Sequence, residues 1–250
     1  MKIMDIVAIL GALAWLPQIF SWVHCWLQKP KITVFHDSEA EVGFILFGNT
    51  LNIRLSFLAK HKHALIDDIT LDVTDKDGAT HHFKWVWYSE TFYEIQAPGG
   101  TTTMAKRQNA IAINAYKDVL IEKFVGFQST SFLNERKQLI YKLKCFTENH
   151  IKGGVIDAKV IKASNEYNNL LRFYKNSIMW KTGDYNATCK IHIAEANEVI
   201  NHTFSFKLSD IEVDTLNENI KLVKTIINAE FIEPNISING KWSWVNPQIQ

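Results

Sequence analysis

Ile69-Thr70-Leu71-Asp72-Val73-Thr74-Asp75-Lys76-Asp77-Gly78-Ala79-Thr80-His81-His82-Phe83-Lys84-Trp85-Val86-Trp87 is the stretch on which the fold of this 250-residue chain turns. Successive strand side chains point to opposite faces, so Ile69, Leu71 and Val73 share one face, and Phe83, Trp85 and Trp87 share one face of the returning run. Between them Asp75-Lys76-Asp77-Gly78 supplies the aspartates and glycine that suit a tight reversal, and an antiparallel hairpin is predicted. Upstream, Leu51, Ile53, Leu55 and Phe57 alternate in the same way, which predicts a half-buried strand. Before it, Ile32 and Val34, then Glu41 to Phe47, read as two short strands separated by a polar turn. Downstream, Ala110–Ala115 and Leu120–Phe127 read as further strands.

Between Ser129 and Trp180 the apolar spacing lengthens to that of helices. Leu139, Leu143 and Phe146 form one stripe and Leu170, Phe173 and Tyr174 another, with Gly153-Gly154 dividing them. Period two returns at Tyr185–Ile193 and Thr203–Leu208, which flank a polar turn at Glu195-Ala196-Asn197-Glu198 and so predict a second hairpin. Ser209-Asp210-Ile211-Glu212 then has the form of a capping box, starting a helix that turns Leu216 and Ile220 inward. The tail from Pro234 to Gln250, with Trp242 and Trp244, reads as a last strand or an irregular docked segment.

Gly183-Asp184-Tyr185-Asn186-Ala187-Thr188-Cys189 resembles the entry to a late strand of immunoglobulin-like and fibronectin-like sandwiches, where a tyrosine packs at the corner before the strand. The resemblance covers seven residues, and it implies a fold without implying a function. No second cysteine of an immunoglobulin disulfide is assigned, and three cysteines in all (Cys25, Cys145, Cys189) do not make a disulfide framework.

The N-terminal text is of another kind. From Ile6 to Leu27 no Asp, Glu, Lys or Arg occurs, and at a rise of about 1.5 Å per residue the run is long enough for the roughly 30 Å of a bilayer's hydrocarbon core. It is expected to be an uncleaved transmembrane helix, with Trp22 and Trp26 at the interface and Lys29 and Lys31 beyond it. Gly11, Ala14, Gln18, Ser21 and Cys25 recur at steps of three and four. Such a seam of small and polar side chains suits self-association of helices in lipid. The weak asymmetry of flanking lysines favours a cytoplasmic body.

The whole chain is thus expected to be α+β, mainly β. An anchor over 1–28 precedes the first part of an immunoglobulin-like antiparallel β-sandwich over 31–128, a helical insertion over 129–182, and the last strands with a C-terminal helix over 183–250.

Formal net charge is +1, which excludes a strongly basic or acidic chain, but its distribution is uneven: −3 over residues 1–99, +8 over 100–182 and −4 over 183–250. The candidate basic surface is Lys106, Arg107, Arg136, Lys137, Lys142, Lys144, Lys159 and Lys162, whose charge would attract phosphates, anionic headgroups or an acidic protein. No catalytic, phosphate-loop, dinucleotide or zinc motif occurs. His81 and His82 are neighbours on a strand and face opposite ways, and Lys62 between His61 and His63 disfavours a cation, so no metal and no cofactor are expected. In layout, a short membrane helix on a sensor domain, the chain is similar to membrane effectors of bacterial antiphage systems, which implies an oligomeric protein gated by a nucleotide or oligonucleotide; with no catalytic motif, no enzymatic activity is expected. The other expectation is a membrane-tethered interaction or structural module with no small ligand.

Overall fold

The computed structural model describes residues 15–97, 100–152, 155–233 and 237–250. Helix α1 (Leu16–Leu27) leads into strands β1 (Lys31–Ile45), β2 (Gly48–Lys60), β3 (Ala64–Asp75), β4 (Thr80–Ala97), β5 (Gly100–Asn109), β6 (Ile113–Ala115) and β7 (Leu120–Gln128). Helix α2 (Thr130–Asn149) follows, then a two-stranded ribbon of β8 (Ile151–Lys152) and β9 (Val155–Ile156), then helices α3 (Ala158–Ala163) and α4 (Asn165–Asn176). Strands β10 (Gly183–Ile193) and β11 (Glu198–Leu208), helix α5 (Asp210–Phe231) and β12 (Trp244–Val245) complete the described elements.

The predicted hairpin is present as β3–β4, with Leu71 opposite Phe83 and Val73 opposite His81. Its turn is fixed by Asp75, whose Oδ1 accepts the N–H groups of Asp77 and Ala79, each at 2.9 Å. Gly78 sits at φ +83°, where a side chain would be strained. Ten strands form one antiparallel sheet in the order β11-β10-β3-β4-β7-β2-β1-β12, with β5 beside β4 and β6 beside β3. The result is a mainly β, half-barrel architecture compatible with a sandwich. Its interior is lined by the alternating faces read from the sequence: Leu51, Ile53, Leu55, Phe57, Ile69, Leu71, Val73 and Phe83 are all essentially inaccessible.

Two expectations are corrected in detail. The two short strands before Phe47 are one strand, β1, because the polar Asp37-Ser38-Glu39 is accommodated as a register shift between His36 and Ala40. Ala110–Ala115 contributes only the three residues of β6. The capping box at Ser209 and Glu212 is complete, and the hairpin β10–β11 runs from Gly183–Leu208 to Ile193–Glu198. Tyr185 is buried, and its hydroxyl accepts from the Lys181 N–H at 2.6 Å and donates to the Lys181 carbonyl at 2.9 Å. These two bonds tie the corner before β10.

The C-terminal segment spans the open side of the half-barrel. Along β1, Val245 pairs with Val42, Ala40 N–H donates to Pro247 O at 3.1 Å and Ile249 N–H to Ser38 O at 2.7 Å. On its other side the segment exchanges two bonds with β11, Ser205 N–H to Gln250 O at 3.0 Å and Gln250 N–H to Ser205 O at 2.9 Å. Beside this seam His202 of β11 faces His36 of β1 with ring centroids 5.1 Å apart, and its Nε2 is buried with no hydrogen-bond partner among the described residues.

Desolvation, and then the neighbouring His36 ring, hold His202 below the usual imidazole range. The unfolded chain therefore binds the proton first, and this group's stability contribution is full above about pH 6.5 and falls as the pH drops through that value. Urea midpoints measured on either side of that pH should show a smaller acid loss in His202→Gln than in the parent. Equal losses would place the acid sensitivity elsewhere.

The antiparallel connections give the sheet two rims. One carries Lys31, the β2–β3 turn, the start of β7 and the β10–β11 turn, and α1 enters there. The other carries the β1–β2 and β3–β4 turns and the starts of α2 and α5. Helices α2, α4 and α5 pack at this second rim: Phe44 of β1 meets Phe132 and Tyr174 edge-on, and the Tyr174 hydroxyl donates to Leu46 O at 2.9 Å.

Among the described residues no helix is long and apolar enough to cross a membrane. Helix α1 covers only part of the predicted span; Gly11 and Ala14 of the seam, with the rest of 1–14, lie outside the described residues, and so does the side chain of Cys25. Gln18 and Ser21 are on α1 and exposed. Trp15 just before α1, and Phe20, Trp22 and Trp26 on it, are between 66% and 77% exposed. Gly153-Gly154 also lies outside the described residues.

Candidate functional site: a cationic groove between two helices

Helix α4 begins at Ser164, whose hydroxyl accepts from the Tyr167 N–H, and buries Tyr167, Leu170 and Tyr174 along one stripe. Helix α5 buries Leu216, Asn219, Val223, Ile227 and Phe231. The Tyr167 hydroxyl donates to Asn228 Oδ1 at 2.6 Å and locks the pair together. Between the helices runs an open groove of about 520 Å³, floored by Leu171, Tyr174, Ile220 and Val223. Arg172, Lys175 and Lys224 stand on its walls, exposed, and no carboxylate among the described residues lines it. Among the described residues none of the three is paired with an acid. Apolar floor and cationic walls together suit a flat or apolar group carrying phosphate.

The cations chosen from sequence are placed differently. Lys106 and Arg107 lie on β5, with the Arg107 guanidinium 4.1 Å from the centroid of the Trp87 ring. Arg136 donates to the Tyr174 hydroxyl at 2.5 Å and lies over Phe47, so it braces α2 against α4. Lys137, Lys142 and Lys144 are exposed on α2, and Lys144 is 3.9 Å from Glu148. Lys159 and Lys162 are on α3; Glu233 bonds Lys162 at 2.6 Å and raises its pKa. The structure thus distributes these eight over three elements. Arg172 and Lys175 carried a legible sequence signal, a basic pair at helical spacing i, i+3, but Lys224 belongs to a segment whose net charge is negative.

A second cleft, of about 390 Å³, lies at the start of α2, with Asp75, Glu135, His81 and Lys181 among its lining residues. The backbone N–H of Ala79 is the main cause that holds Asp75 below the usual carboxylate range, and the hydrogen bond to Asp77 raises Lys181. Burial lowers His81. These groups are engaged in the β3–β4 turn, with Lys181 Nζ 3.1 Å from Asp77 and 3.7 Å from Asp75. His82 faces away and bonds Asp72 at 2.6 Å, while His63 accepts from the Lys117 N–H. Cys189 is fully buried and its thiol is pushed up to about 12 by desolvation. Among the described residues no serine or cysteine is hydrogen-bonded to a histidine, and no three potential ligands gather for a metal.

The class these features define is a mainly antiparallel β protein with helices across one rim. No protein-family model matches the sequence, and no curated protein matches it. Among solved structures it is similar to a family 123 glycoside hydrolase from Clostridium perfringens, described for glycolipid glycan hydrolysis, at 10% identity and a TM-score of 0.33. That match covers 72% of this chain and 27% of the hydrolase chain, and a TM-score so low carries no argument about fold or chemistry.

Proposed function

We propose that this is a membrane-tethered, non-enzymatic binding protein whose α4–α5 groove takes a phosphate-bearing ligand of the nucleotide or oligonucleotide class. The observation that carries the reading is the groove itself: three cations without carboxylate partners among the described residues, set over an apolar floor. Anchoring is by the N-terminal apolar run, which the exposed Phe20, Trp22 and Trp26 of α1 support, because large apolar side chains left bare on a helix suit a protein or lipid contact. Self-association through the Gly11-to-Cys25 seam and a cytoplasmic body complete the proposal. The Tyr185 corner favours an immunoglobulin-like relationship for the sandwich.

Native mass spectrometry of the full-length protein in mild detergent tests the reading directly. A defined oligomer with an added mass matching a nucleotide supports it. The added mass should be lost in Arg172→Glu/Lys224→Glu, and a labelled oligonucleotide should bind that variant at least about tenfold more weakly, the equivalent of roughly 1.4 kcal/mol. Binding should also weaken with salt. A bare monomer, or unchanged binding by the variant, would move the assignment to a tethered interaction module.

A further inference from the structure

The rim that α1 enters differs in chemistry from the rest of the surface. Lys29, Lys31, Lys60, Lys62 and Lys117 cluster there by topology: Lys31 and Lys60 are directly paired across β1 and β2, and the bridge from Ala59 to Lys117 brings the β6–β7 turn alongside. Like charges placed opposite one another on a sheet are unfavourable unless something neutralises them. The one carboxylate in these two turns, Asp118, is 3.9 Å from Lys117. Next to these cations Tyr116, Val119 and Leu120 are 51%, 49% and 59% exposed. Their backbone is fixed by bonds from Asp118 N–H to Ala59 O at 2.8 Å and from Lys117 N–H to His63 Nδ1 at 3.0 Å. Helix α1 is held over the same place, because Lys62 Nζ donates to Trp26 O at 2.7 Å. Glu195 and Glu198 stand at the β10–β11 turn of this rim, where Glu195 is engaged in accepting from the Leu65 N–H.

We propose that this rim is a second membrane contact: its lysines bind anionic lipid headgroups while Tyr116, Val119 and Leu120 enter the interface, so that the β domain lies on the bilayer and the groove faces away from it. Cations flanking exposed aromatic and aliphatic side chains match the interface of an anionic leaflet, where charge and apolar contact add. The occupant follows from position, since an apolar helix emerges from the middle of the patch. The inference rests on anchoring by the N-terminal segment, and its test separates the two.

Full-length protein is reconstituted in nanodiscs of phosphatidylcholine alone and of phosphatidylcholine with phosphatidylserine, and amide hydrogen exchange is read over residues 58–64 and 115–121. Exchange in these segments should slow several-fold in the anionic discs and not in the neutral ones. Lys31→Glu/Lys60→Glu/Lys117→Glu should erase the difference, and the matching glutamine triple should reduce it, while both stay in the discs. Equal exchange in the two lipids, with the protein in the discs, overturns the rim contact and leaves the anchor standing. A protein that stays out of the discs altogether overturns the anchor and the rim contact with it.

Discussion

Phe44→Ala should cost about 3–5 kcal/mol in chemical denaturation, the range for emptying a large, fully buried aromatic site. Phe44 is inaccessible and is the point at which sheet and helices meet: its ring stands edge-on to Phe132 of α2 and Tyr174 of α4, at centroid distances of 6.3 and 6.4 Å. Phe132 is in turn stacked on Phe173 at 4.8 Å, so one deletion loosens three aromatic partners. Because α4 forms one wall of the groove, ligand binding should fall with stability, whereas Phe44→Leu should keep most of both. A loss below about 1 kcal/mol would mean that the helical layer is held by other contacts.

Deleting residues 244–250 should be of comparable size. At least four backbone hydrogen bonds to β1 and β11, at roughly 1 kcal/mol each, disappear with the segment, together with the β12 pairing to β1. The burial of Val245, worth about 1.5–3 kcal/mol, goes too. Trp244 also covers Gly43 so closely that a Cβ at that position would lie 2.4 Å from its ring. Together the loss is on the order of 5 kcal/mol, comparable to the whole stability of many domains. The deletion also bares two sheet edges, β1 and β11, that then invite pairing between molecules. The expected result is a protein that melts far lower and runs as aggregates in size-exclusion chromatography. A monomer with unchanged melting would show that the half-barrel holds its shape without the strap.

The candidate site was only partly legible in the sequence. Excess positive charge between residues 100 and 182 was visible, but not which cations are already engaged. Lys162 finds Glu233, Arg136 is spent on Tyr174, and Arg107 lies over Trp87, all through contacts between distant segments. Lys224 had no signal at all. It joins Arg172 and Lys175 because α5 packs on α4 by way of Tyr167 and Asn228.

What the sequence determined by itself is local. Period-two alternation set the strands, since burial on one face of a sheet requires it, and β3, β10 and much of β2 and β11 follow it. The Asp75-to-Gly78 turn, the Ser209 capping box and the Tyr185 corner were legible because a few neighbouring residues carry all their hydrogen bonds. Tertiary structure decided the rest: that β1 absorbs its polar middle as a register shift, that the tail joins β1 to β11, and that strand polarity puts the helices on one rim and the lysines with α1 on the other. These depend on pairings between segments far apart in the chain, which alternation leaves open, because each strand's pattern fits any neighbour that offers an apolar face.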